Sequence, residues 1–172
     1  MGSSMWLYWA DYEPDFEMVL QKARRAVFDA GEYFLGPKPP LEWLGEPIDP
    51  DDPWDPDVPK DYLEYLTWLK NAGDRPATIE DLIRWNGPWG EGTQSIIDIE
   101  RISDELFTVQ SSTLVPDDLL LEIFGTVKPA AEMINDHGME LFELTSRGTA
   151  VHIVVYEDGQ PDKIVYVGAT FD

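Results

Sequence analysis

Between Gly87 and Asp98 the chain gathers the residue types that could share a chemical task. Thr93 and Ser95 bring hydroxyls, Gln94 a carboxamide and Asp98 a carboxylate, at the exit of a turn holding Gly87, Gly90 and Gly92. Glycines there permit positive φ or close backbone approach. The run is not a phosphate cradle: no Lys follows it, Glu91 would repel phosphate, and a strand rather than a helix is predicted over Ile96 to Ile99. Strict strand alternation would put Thr93 and Ser95 on one face and Asp98 on the other. A shared site therefore requires the segment to twist or bulge. The expected role is to fix the loop beside Trp89.

Other chemistry is sparse. Cysteine is absent, which removes disulfides, thiolate ligands and thiol nucleophiles. Zinc needs three or four N or S ligands, and His137 and His152 are the sole histidines. Both read as structural. No G-x-S-x-G elbow marks a nucleophile. Glu140 with Glu143, and Asp117 with Asp118, read as solvated surface. Neither a catalytic residue, a metal site nor a cofactor is expected.

The dominant signal is charge. Asp and Glu number 34 against 12 Lys and Arg, a net charge of -22, in a chain with seven Trp, seven Tyr and seven Phe. Acidic disordered tails lack such aromatics, so this is a folded domain with a negative surface. Its field repels nucleic acid and anionic membrane and attracts basic proteins. The acid concentrates in a Pro-rich loop over residues 36–59, where Asp49, Asp51, Asp52, Asp55 and Asp57 alternate with prolines around Trp54. That loop lacks the Gly and closing Glu of a calcium loop. Trp54 and its flanking acids, with Trp89 and Glu91, form the expected partner-binding surface.

The elements that would position these residues can be read from spacing. Residues 5–10 form a strand. A helix opens at Glu13-Pro14, carries Phe16, Val19, Leu20, Ala23 and Val27 inward, and stops at Gly31; Arg24 and Arg25 lie off that stripe on a solvated face. Asp61 to Ala72 is helical, and Thr78 caps a shorter helix with Asp81 at the capping-box position. Residues 105–110 read as a strand, Pro116 to Phe124 as a helix, and Pro129 opens another that stops before Gly138. Met139 to Leu144, Ala150 to Tyr156 and Lys163 to Val167 read as strands, the last two joined by a hairpin at Asp158-Gly159. Residues 1–4 read as an expression scar. Residues 5–172 form one α+β domain, with an antiparallel sheet of about five strands and helices packed mainly on one face.

Tyr8 to Tyr12, Asp15-Phe16-Glu17, Val27-Phe28 and Gly31-Glu32-Tyr33 resemble the opening of a family of small uncharacterised acidic bacterial proteins. Pro76 to Leu82 and Gly92-Thr93-Gln94-Ser95-Ile96-Ile97-Asp98 match that family's later motifs, with Gln94 where His is common. The family implies no activity. Val58 to Leu66 followed by Asn71 is similar to a helix of the SMI1/KNR4-like immunity superfamily. Taken with the charge, the expected function is a non-enzymatic, cytoplasmic, immunity- or antitoxin-like protein that occludes the cationic surface of a basic toxin or enzyme. A DNA-mimic inhibitor, or an enzyme with an unmarked carboxylate site, is the alternative.

Overall fold

The helix expected to open at Glu13-Pro14 begins at Phe16, because Asp15 supplies the cap and Pro14 lies before it. Asp15 accepts a hydrogen bond from the Met18 N–H at 3.0 Å and caps α1 (Phe16–Ala30), which ends at Gly31 with φ 73°. Only glycine enters that left-handed conformation without strain. The stripe Val19, Leu20, Ala23 and Val27 is buried as expected. Complete burial of Leu20 alone stabilises the fold by about 1.5–3 kcal/mol.

The computed structural model describes residues 4–37, 60–86 and 92–170. In chain order the elements are β1 (Met5–Asp11), α1, α2 (Lys60–Asn71), α3 (Ile79–Asn86), β2 (Arg101–Ser103), β3 (Ser111–Leu114), α4 (Asp117–Phe124), α5 (Ala131–Asp136), α6 (Gly138–Glu143), β4 (Ala150–Glu157) and β5 (Gln160–Ala169). The strands form one open sheet in the order β1-β5-β4-β3-β2. The hairpin between β4 and β5 turns at Asp158 and Gly159, with φ of 52° and 77°. That pair of positive values is what a two-residue type I′ connection demands.

The sheet is mixed rather than antiparallel. β2 pairs with β3 and β3 with β4 in parallel, while β4–β5 and β1–β5 are antiparallel. The parallel pairing of β3 with β4 follows from the chain's path: α4 to α6 carry it from the end of β3 back to the start of β4, and such a crossover returns a strand in the same direction. Those helices also correct the expectation of one covered face. Leu120, Phe124, Ile134 and Leu141 pack with Val151, Ile153, Val165 and Val167 on one side of the sheet. Val19, Leu20, Leu82, Ile96 and Ile97 pack with Ala150, Ile164 and Tyr166 on the other. Helices cover both faces, which is why β4 and β5 read as unbroken apolar runs.

Three expected strands are absent. Residues 105–110 turn, with Phe107 and Gln110 at φ of 62° and 57°. Met139 to Leu144 is α6: Leu141 is fully buried while Met139 is 62% exposed, so one helical side faces inward. Ile96–Asp98 is a single 3-10 turn whose residues are all buried, where a half-exposed strand would alternate. The helix over 61–72 and the Thr78 cap are present, the Thr78 hydroxyl accepting from the Asp81 N–H at 3.1 Å. Among the described residues Asp81 does not close the capping box. Its carboxylate accepts from Trp68 Nε1 at 3.2 Å and so ties α3 to α2.

Candidate functional site

Gly92 and Gln94 both have positive φ, 60° and 53°, and together they fold the backbone after α3 into a tight concavity. Asp98 fills it. The 3-10 turn, capped by the Ser95 hydroxyl accepting from the Ile97 N–H at 3.3 Å, swings the Asp98 carboxylate back over the turn. The Thr93 N–H donates to its two oxygens at 2.7 and 3.0 Å. The Thr93 hydroxyl and the N–H groups of Gln94 and Ser95 also act on it. Thr93 Oγ1 and Ser95 Oγ lie 2.9 Å apart. The twist that a shared cluster of Thr93, Ser95 and Asp98 requires is therefore present, as a 3-10 turn rather than a bulged strand.

Two further residues hold this turn. Asn86 is 1% exposed and joins three segments. Its Oδ1 accepts from the Gly36 N–H at 3.0 Å, and its Nδ2 donates to the carbonyls of Phe34 at 2.8 Å and Gly92 at 2.7 Å. The Phe34 N–H donates to the Thr93 carbonyl at 2.8 Å. Arg24, expected on a solvated face, is buried beneath the turn: Nε donates to the Ile97 carbonyl at 3.2 Å and a terminal nitrogen to Gln21 Oε1 at 2.8 Å. Leu20, Arg24 and Val27 share one helical side at i, i+4 and i+7, and that spacing was the available signal. Arg25, by contrast, is exposed and pairs with Asp29.

Burial raises the Asp98 carboxyl above the ordinary range, and the N–H donors pull it back down. Burial likewise lowers the Arg24 guanidinium, opposed chiefly by Glu100, with Glu80, Glu17 and Asp98 acting in the same sense. A carboxylate enclosed by donors from its own loop has its accepting capacity taken up within that loop. Asp98→Asn should lower stability by about 2 kcal/mol in a denaturant melt, because the amide turns N–H groups toward N–H donors. Unchanged stability together with loss of a catalytic turnover would instead make Asp98 a reacting group.

A second polar pair lies inside the sheet. His152 Nδ1 is 2.9 Å from the Ser112 hydroxyl, both residues are 0% exposed, and His152 Nε2 has no hydrogen-bond partner among the described residues. Serine beside imidazole is the geometry of a nucleophile with its base. Here the ring is enclosed by Phe16, at a centroid distance of 5.0 Å, and Tyr166, at 5.5 Å. Burial pushes the imidazole down to about 4, so it is neutral near pH 7. His137 lies between α5 and α6, with Nδ1 3.3 Å from Glu140 Oε1. Glu140, Glu143, Asp117 and Asp118 are exposed. No group of three His, Cys, Asp or Glu among the described residues is placed to hold a metal ion.

Of the loop over 36–59, Gly36 is anchored by Asn86 and by Trp85 Nε1, which donates to its carbonyl at 2.9 Å. Trp54, Asp49, Asp51, Asp52, Asp55 and Asp57 lie outside the described residues, as do Trp89, Glu91 and residues 1–3. Compared with models of known protein families, with curated proteins and with solved structures, the chain finds no match.

Proposed function

We propose that this chain is a non-enzymatic acidic binding protein of the immunity or antitoxin type, which neutralises a basic toxin or enzyme by covering its cationic surface. The observation that carries this reading is where the charge lies. The chain's net charge is -22, and among the described residues Asp98 is the one buried acid, so the other acids described there lie outside the core of a packed frame. A rigid negative surface steers a cationic partner toward encounter and then needs aromatic anchors to hold it. Trp54 with its flanking aspartates, and Trp89 beside Glu91, are the anchors we assign. The likeness of Val58 to Leu66 and Asn71 to a helix of immunity proteins points the same way. The chain works in the cytoplasm on this reading, and no helix among the described residues is long and apolar enough to cross a membrane.

The test is kinetic. With a basic protein captured on the immobilised chain and then purified, the association rate should fall at least about tenfold from low to high salt. Screening shortens the Debye length from about 30 Å at 0.01 M to about 3 Å at 1 M. A stopped-flow rate that stays flat across that range would overturn the electrostatic mechanism.

A further inference from the structure

The two edges of the sheet are treated differently. β2 is three residues long and its outer side is sealed by α1: the Ile102 N–H donates to Glu17 Oε2 at 2.8 Å, and Gln21 Nε2 to the Glu100 carbonyl at 2.8 Å. β1 is seven residues long and pairs with β5 in unbroken register. The Thr170 N–H donates to the Ser4 carbonyl and the Tyr12 N–H to the Asp162 carbonyl, each at 3.0 Å, which fixes the alternation between them. Trp6, Tyr8 and Ala10 therefore bond inward to β5, while the N–H and C=O groups of Met5, Leu7, Trp9 and Asp11 point away from the sheet. The strand carries no proline, lysine or bulge, the usual defences of an edge. Met5 and Leu7 are 43% and 36% exposed.

Beside this edge runs a groove of about 280 Å³ between β1 and α1, floored by Tyr8 and Ala10 and walled by Val19, Ala23 and Ala26. Its helix wall is low because two of those residues are alanine. Asp11 and Glu13 stand at one end, holding Lys163 at 2.5 Å and Lys22 at 2.6 Å in exposed pairs. Exposed pairs of this kind contribute little, so an incoming cation can exchange with either lysine at small cost.

We propose that the β1 edge takes an extended, positively charged segment of a partner protein as an added strand, whose alternate side chains lie in the groove against Val19, Ala23 and Ala26. This deepens the acidic-binding reading and rests on it. Main-chain hydrogen bonds to Met5, Leu7, Trp9 and Asp11 supply the affinity, and the groove and its acidic end supply selectivity. A second copy of the chain is the wrong occupant, because it would bring another charge of -22 to the same edge.

The probe is a fluorescein-labelled peptide of alternating Lys and Val, read by fluorescence anisotropy at low salt. Its twin carries N-methyl groups on alternate residues, which keep the charge and remove the strand's donors on one side. The unmodified peptide should bind at least about tenfold more tightly than its twin. Leu7→Pro should weaken it by a similar factor, since the Leu7 N–H faces outward and proline there deletes no bond to β5. Ala26→Arg, at an exposed position on α1, should weaken it several-fold and keeps the test sound if Leu7→Pro does not fold. Equal binding of the two peptides would overturn strand addition while leaving the acidic-binding reading standing. Failure of the unmodified peptide to bind would also overturn it, and so would a dimer in sedimentation velocity that Leu7→Pro dissolves. Salt-independent association of the captured basic protein would instead count against the underlying reading.

Discussion

Gly168→Ala should cost about 3 kcal/mol, at the upper end of what overpacking does in a close-packed core. Gly168 sits on β5 between Trp6 of β1 and Ala150 of β4. Its φ is not among the positive values, so no turn geometry demands glycine there. Space does. A methyl group on Gly168 would lie 2.0 Å from Cζ2 and 2.4 Å from Cε2 of the Trp6 indole, atoms of a rigid ring rather than the end of a flexible chain. The indole covers the Gly168 backbone, and its Nε1 is already buried without a hydrogen-bond partner among the described residues. Relief therefore requires the ring or β1 itself to move. Thermal melts should show a loss of about 6–12 °C for a chain of this size. Trp6→Val should recover much of that loss in the double variant, which would then be less unstable than the sum of the two. Additive losses would mean that the ring is not what excludes the methyl group.

The elements legible in the sequence were those fixed by local physics. Glu13-Pro14 set the start of α1 too early, since the cap is Asp15, but Gly31 ends it because a left-handed residue is a property of a single position. Asp158-Gly159 marked its hairpin for the same reason, since both residues take positive φ. Strand direction was not legible. β2 and β3 have three and four residues, too few to show alternation, and β3 meets β4 through the α4–α6 crossover rather than through any nearby residue. Met139 to Leu144 misled because apolar residues at 139, 141, 142 and 144 satisfy a period of two about as well as one of 3.6. Burial of Leu141 beside exposed Met139 decides for the helix.

The candidate turn divides along the same line. That Thr93, Ser95 and Asp98 needed a twist to meet could be read from their spacing. That the twist is a 3-10 turn depends on the positive φ of Gln94, which no residue-type rule assigns to glutamine. Asn86 gave no sign beyond standing at a helix end, yet it ties residues 34, 36 and 92 together. Ser112 and His152 are 40 residues apart and meet only because β3 lies against β4.

That buried imidazole gives the chain a pH dependence with a definite sign. His152 has its folded pKa depressed from 6.5 to about 4 by burial, so the unfolded chain binds the proton more readily. Stability from this group is fully present above about pH 6.5 and is lost as pH falls toward about 4. The loss should be about 2 kcal/mol between pH 7.5 and pH 5 and about 3 kcal/mol once the pH is below 4. Other groups titrate in the same window with the opposite sense. The net charge of -22 shrinks in magnitude as the solution is acidified, which relieves self-repulsion in the compact chain. Asp98, raised by burial, takes its proton in the folded chain first, so its contribution grows as pH falls and is lost as pH rises through its folded pKa. A variant isolates the histidine from both. His152→Phe keeps an aromatic ring against Phe16 and Tyr166, and each protein is compared with itself, so a lower starting stability of the variant does not matter. Denaturant melts at the two pH values should show the parent losing about 2 kcal/mol more than His152→Phe. An NMR titration of the parent should find the ring unprotonated until about pH 4. Parallel losses in the two proteins, or an imidazole that titrates near its ordinary 6.5, would mean that water reaches Nε2 and that the core between α1 and the sheet opens.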